Sequence, residues 1–565
     1  MRRRLLALAG VVAVGAVAPA AATGWPVAAT ARPGVRVALP PGEGTSPVCP
    51  GPETLVAPPG GRVTTPPGPV VVAALTDGGA AQLADRDVPA AGAAPGTLSS
   101  VRTAAGPVLL GPAPHDPGFD PGSGPAGADP TGADPTGAGR ARSTSAGADT
   151  PALSAVQLTV ARHGDLRGTA AAACPEAATQ AWLVGGGSQP GRRGRLVLAD
   201  PAPTPATVDV TLLGAHGELA APAARGVVVP ASGEAALLLD ALAPDQPVLA
   251  VHVQVRTGRV SAVLHDSWVR GQTPGGVDDV TPAAPPAAVQ RVPGVLVTGT
   301  PPADAQAPGA VAVRVAVPGP TPVVARVRLL GAGGEITLAH PVVTVGARSV
   351  LDVPVTGVPA GLYTVVVEGD GPVVAGALVG IPATPVTPGT DPATPVPDPA
   401  APPPGGTAMG PGAPSEFGWA PATASLDGPA VLALPGLPTD QGADRKGDRS
   451  AVLALGATGA AVQVELTQVD GRGTVLGRRT IQVPKASTRL VTLDPAATGL
   501  LLHPQAGAPA APGAAGAPGG LVAALVLQVR DPAGPLLSVV PVRPGPPADA
   551  ARPRVVADAR LGLPG

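Results

Sequence analysis

The sequence predicts an all-β protein: three tandem immunoglobulin-like β-sandwich repeats plus an N-terminal β segment, with disordered Pro/Gly-rich linkers. Three observations predict it. First, one pattern occurs three times. Thr207-Val-Asp-Val-Thr-Leu-Leu-Gly-Ala-His-Gly-Glu218 returns as Val324-Ala-Arg-Val-Arg-Leu-Leu-Gly-Ala-Gly-Gly-Glu335, and more loosely as Ala461-Val-Gln-Val-Glu-Leu-Thr-Gln-Val-Asp-Gly-Arg472. Leu213 and Leu330 are 117 residues apart, the length of a sandwich domain rather than of a solenoid turn or a propeller blade. Second, short apolar–polar alternations are bounded by Gly, Pro and Asp turns, the period of half-buried strands. Third, no long segment carries a capped 3.6-residue apolar period.

The first residues have the order of a secretion signal. Met1-Arg-Arg-Arg4 is basic, residues 5–18 are apolar, and Ala18-Pro-Ala20 or Ala20-Ala-Ala22 offers a small-x-small cleavage site. The apolar stretch is shorter than the ~20 residues that span a bilayer, with an uncleaved anchor as the alternative and the only membrane contact expected. The expected location is therefore extracellular or in the cell envelope. Residues 24–175 follow as an N-terminal β segment, with strand-like runs at 35–39, 70–75, 108–110 and 156–160 and a disordered insertion at 112–151. The acidic residues of that insertion lack the ligand spacing of a calcium loop, so it reads as linker.

The first repeat covers 176–290. Seven strands are expected at 181–184, 195–199, 207–213, 227–229, 235–239, 248–255 and 260–264, the last two as a hairpin through Arg256-Thr-Gly-Arg259. The second repeat, 291–381, repeats this pattern and closes with a hairpin of 362–367 and 373–378. A Pro-rich linker at 382–415 leads to the third repeat at 416–545, interrupted by an Ala/Pro/Gly insertion at 505–520, and a flexible tail occupies 546–565.

Composition narrows the chemistry. Aromatic residues are 1% of the 565, so the cores must be built from Val, Leu and Ala, and a sugar platform of several rings is excluded. Asn is absent and 35 Arg stand against two Lys, the usage of a GC-rich coding sequence. Without the three signal arginines the net charge is near −5, which is no footprint for nucleic acid. The two cysteines, Cys49 and Cys174, form a disulfide in an oxidising compartment or stay as two thiols; neither has the neighbours of a metal site. No cofactor motif is present: Gly185-Gly-Gly187 opens no helix, and Gly186-Gly-Ser188 lacks the following Gly of a nucleophile elbow.

The densest polar cluster is His265-Asp266-Ser267-Trp268, with Asp278-Asp279 downstream. Neighbours on a strand point to opposite faces, which is not how a nucleophile meets its base, so no catalytic residue is assigned and the chain is read as no enzyme. Glu218 and Glu335 recur at one turn position and read as solvated carboxylates. Trp182 alternates into a core, whereas Trp268 and Trp419 are expected to pack at domain junctions or to form a ligand face.

Seven phrases stand out: Cys49-Pro-Gly-Pro, Cys174-Pro-Glu, Ala181-Trp-Leu-Val-Gly-Gly-Gly-Ser188, Arg195-Leu-Val-Leu-Ala-Asp-Pro201, Gly258-Arg-Val-Ser-Ala-Val263, Val292-Pro-Gly-Val295 and Gly371-Pro-Val-Val-Ala-Gly376. In these the chain resembles an actinobacterial family of secreted proteins known as domain of unknown function 5719. The resemblance covers most of the chain after residue 45 and implies an exported, envelope-associated protein; it carries over no catalytic residue. The function expected is a non-enzymatic scaffold whose partner is an envelope protein or a cell-wall glycan, the alternative being a carbohydrate- or cell-wall-binding module.

Overall fold

The computed structural model describes residues 47–51, seven strands between Thr54 and Pro112, and residues 152–382, 415–435, 449–505 and 520–544. The expected signal segment, the insertion after Pro112, the linker after Pro382 and the tail lie outside the described residues.

The described chain is antiparallel β-sheet, with one four-residue helix, Leu239–Leu242, and one 3-10 turn. In the first repeat, Gln180–Val184, Ala250–Thr257, Ala206–Gly214 and Gly217–Leu219 follow one another across one sheet. Gly233–Leu238, Arg192–Asp200, Ser261–Arg270 and Thr273–Val280 make the other. The third repeat has the same order: Ala430–Ala433, Gly499–Gln505, Val462–Val469 and Val475–Val483 opposite Ser487–Thr492, Arg449–Ala457, Leu521–Val529 and Leu536–Pro541. Each sheet that carries the repeated pattern alternates inward and outward side chains. Val323–Gly331, for example, buries Val323, Ala325, Val327 and Leu329 and exposes Val324 and Arg326.

The structure corrects two expected hairpins. Ala250–Thr257 and Ser261–Arg270 do not pair; the first joins Gln180–Val184 and Ala206–Gly214, the second Arg192–Asp200 and Thr273–Val280. Both are inner strands that need two partners each, so the Gly258 turn, at φ +82°, carries the chain from one sheet to the other. In the second repeat the expected hairpin is one 21-residue strand, Gly361–Ile381. Its first half pairs with Ala287–Val297 and Val323–Gly331, its second with Val311–Ala316 and Glu416–Pro421.

That last pairing moves a boundary. Glu416–Pro421, expected at the head of the third repeat, occupies in the second the place that Thr273–Val280 holds in the first. The N-terminal segment also repeats this order. Thr97–Thr103, Val70–Thr76, Ala152–Ala161 and Gly168–Ala173 form a four-stranded sheet, and Arg86–Val88, Ala81–Leu83 and Leu110–Pro112 a three-stranded one. It is a fourth copy of the topology, with one strand fewer among the described residues. Its apolar side chains Val71, Val156 and Leu158 share one core with Leu432, Leu453, Leu500 and Leu525 of the third repeat.

The final strand of each copy packs against the final strand of the next: Gly168–Ala173 on Thr273–Val280, that on Glu416–Pro421, that on Leu536–Pro541, and that back on Gly168–Ala173. The four copies thus close on one another around these central strands. Burial on both faces explains their small residues. A Cβ on Gly168 would stand 2.6 Å from the Val277 amide nitrogen, and one on Gly276, itself at φ +116°, 2.6 Å from Glu416 Oε1.

Cys49 and Cys174 are disulfide-bonded, tying the arm at Pro47–Gly51 to the end of the central strand Gly168–Ala173. The Val48 amide donates to Pro175 O and the Gly51 amide to Gln157 Oε1, both at 3.0 Å. The bridge spans 125 residues, a loop for which the chain-entropy model gives about 5 kcal/mol. The Cys49→Ser/Cys174→Ser variant is therefore expected to unfold at a clearly lower guanidinium concentration than the parent; coincident midpoints would contradict this.

Candidate functional site

Several of the polar side chains that reach the interior meet on the central strands. Asp278 is fully buried in Thr273–Val280. Its Oδ2 accepts from the Trp419 amide at 2.5 Å, and its Oδ1 lies 2.7 Å from Ser538 Oγ, which in turn accepts from the Ala171 amide at 3.0 Å. One chain of hydrogen bonds therefore joins all four central strands. Beside it, Glu416 Oε1 accepts from the Val277 and Phe417 amides at 3.3 and 3.1 Å. Burial drives both carboxyls well above the usual carboxylate range; the hydrogen bonds that each accepts oppose the shift.

The aromatic residues singled out in the sequence lie where the first two repeats meet. Trp268 and Trp419 are 5% and 1% exposed, so they pack at the junction and present no ring to a ligand. Arg192, also buried, connects them: its guanidinium lies 4.6 Å from the Trp268 ring centre and 5.7 Å from that of Trp419. It forms a two-pronged pair with Asp266, at 2.9 and 2.6 Å, and Asp266 Oδ2 also accepts from the Trp419 indole N–H at 2.8 Å. From the second repeat, Arg314 lies 4.8 Å from the Trp419 ring centre. Arg314 pairs with Asp352 and donates to Gly186 O and Leu249 O in the first repeat. Trp182 stacks on His252 with ring centres 4.2 Å apart, and burial lowers the His252 pKa.

The cluster at His265 is structural as well. His265 Nδ1 meets Asp279 Oδ1 at 2.5 Å, Asp266 is held by Arg192, and His265, Asp266 and Ser267 are each at most 3% exposed. The Ser267 side chain is buried with them. Glu218 and Glu335 stand exposed at their turns, paired with Arg225 and Arg348 and with Arg328, respectively. Among the described residues no group of three or more His, Cys, Asp or Glu could hold a metal ion.

The open concavity lies elsewhere. A pocket of about 450 Å³ sits where the central strands end, at Ala173, Pro282, Ala422 and Pro541. Its lining is largely Ala and Pro, with Arg543, Thr423, Gln180, Glu176 and Ser154 as polar members. No motif marked it, because its residues come from seven separate stretches and most are the commonest types in the chain. A size of this order is ordinary for a small-molecule site.

Residues 128–382 match the model of a family of unknown function, DUF5719. The match takes in the first repeat and the second up to Gly361–Ile381; the strand Glu416–Pro421 that completes the second lies beyond it. No curated protein matches the sequence. Among solved structures, the chain is compared with a viral chemokine binding protein, R17, encoded by rodent gammaherpesvirus Peru. The identity is 12% over 69% of this chain and 84% of that one, with a TM-score of 0.13, too low to carry an argument.

Two consequences are measurable. Asp278 and Glu416 titrate near 3.8 and 4.5 in the unfolded chain and well above that when folded. Their contribution to stability is thus complete below about pH 4 and is lost as pH rises through the folded values. The urea midpoint is expected to fall from pH 5 towards pH 9, and the slope to flatten in Asp278→Asn/Glu416→Gln; an unchanged slope would count against this assignment. Arg192→Met would leave the buried Asp266 carboxylate without its cation and is expected to cost about 3–5 kcal/mol, read from the same denaturation curves.

Proposed function

We propose that this chain is an exported scaffold of the cell envelope that acts by presenting surfaces to partners and not by catalysis. The observation that carries the reading is the commitment of its reactive-looking groups to the interior. Asp278 joins four strands, Asp266 is spent on Arg192 and Trp419, and His265 on Asp279. Groups so placed stabilise an assembly of sandwiches and are withheld from substrate. Sites for partners are then left to the loops and outer strands, since function lies in sites grafted on a fold.

Export is supported by the basic and apolar first residues and by the Cys49–Cys174 bridge, a bond that persists in oxidising compartments. No helix among the described residues is long and apolar enough to cross a membrane. A glycan-binding role loses its proposed carriers with the burial of Trp268 and Trp419 and would need another surface. The partner favoured is accordingly an envelope protein.

Co-sedimentation of residues 24–565 with isolated cell envelopes tests this. Pelleting is expected to survive removal of wall glycans, to disappear after protease treatment of the envelopes, and to proceed without release of soluble sugar. Release of sugar or muropeptides by the purified chain would overturn the non-enzymatic reading, and glycan-dependent pelleting would overturn the choice of partner.

A further inference from the structure

The pocket at the end of the central strands has a chemistry that the scaffold role does not use. Pro47, Pro175, Pro282, Pro285, Pro541 and Pro544 stand around it. Their fixed φ angles make its edge rigid before any ligand arrives. Ala155, Ala173, Ala262 and Ala422 form much of the wall, and the shortness of these side chains is what leaves about 450 Å³ open. No aromatic side chain among the described residues lines it, so these offer nothing on which a sugar or a base would stack; its methyl and methylene surface suits a flexible hydrocarbon.

Against this apolar surface stands one cation. Among the described residues Arg543 is the only Arg or Lys of the lining. Its Nη2 donates to Pro282 O at 3.2 Å, its Nε has no partner, and no described carboxylate lies within ion-pair distance. Glu176, on the same lining, acts on it only through space. Burial pulls the guanidinium down to about 10, still protonated at neutral pH. The Thr423 hydroxyl on this wall is likewise buried without a partner. A charge placed this way is costly unless a counter-ion reaches it, and a planar carboxylate is the natural match for a guanidinium fork.

We propose that this pocket binds a small aliphatic carboxylate, its hydrocarbon chain against the Ala and Pro walls and its carboxylate on Arg543. The proposal goes beyond the scaffold role, which is read from envelope pelleting and would survive its failure.

Calorimetric titration of residues 24–565 with sodium decanoate below its micellar concentration is the test, with decanol as the uncharged control. One saturable site per chain is expected, weakened at least tenfold by Arg543→Gln, while decanol binding does not distinguish that variant from the parent. Ala424→Trp, at an exposed position of the lining, should block decanoate and decanol alike without touching the core. It also keeps the test decisive if Arg543→Gln fails to fold. Absence of a saturable site, or decanoate affinity unchanged in the folded variants, would overturn the proposal.

Discussion

The fold depends on a single closure: four strands from four copies of one topology meet side by side, and the Asp278 carboxyl is the point at which they are joined. Its two oxygens reach Trp419 and Ser538, and Ser538 reaches Ala171. The rest of the architecture accommodates that meeting. Glycine stands at Gly168 and Gly276 because the neighbouring backbone leaves no room for a Cβ, and alanine fills Gly168–Ala173 because both of its faces are covered. A buried carboxyl in such a place is expensive alone and tolerable only when its partners are fixed, so the network favours one arrangement of the copies over a loosely associated one.

The junction between the first two repeats follows the same logic with larger groups. A chain with 1% aromatic residues places Trp182, Trp268 and Trp419 together where two sandwiches touch. Large rings fill the irregular space between domains that alanine and valine cannot, and Arg192 and Arg314 bring charge to their faces. Each guanidinium is matched by a carboxylate in two-pronged geometry, Asp266 for one and Asp352 for the other. Such pairs add little net stability, but they fix which side chain meets which.

How much of this was legible depended on where each strand sits. The outer strands were plain in the sequence, since one face meets a core and the other water, and alternation records that difference. The central strands were not. Thr273–Val280 is two glycines, a proline and two aspartates among a few apolar residues, with neither alternation nor an apolar run, yet all but its first two residues are buried. Glu416–Pro421 was visible only as a tryptophan after a linker, and its pairing partner lies across residues that carry no pattern. The two expected hairpins failed because turn chemistry at Gly258 is the same whether the chain returns to its own sheet or passes to the opposite one. The disulfide was an arithmetic inference from two cysteines. The pocket had no local signal, because alanine and proline are common throughout this chain and only the closure brings them to one place.

The core shared by the N-terminal copy and the third repeat has a consequence for biosynthesis. Val71, Val156 and Leu158 are covered by side chains that lie some three hundred residues later in the chain, so a ribosome or an export channel releases them long before their covering exists. The first copy must wait, partly exposed, until residues 426–542 arrive. Its cysteines, by contrast, both emerge within the first third of the chain and can be oxidised during that wait. The cross-link thus acts on a nascent chain as a clasp, holding the amino-terminal end ready for the last piece of the molecule to be delivered.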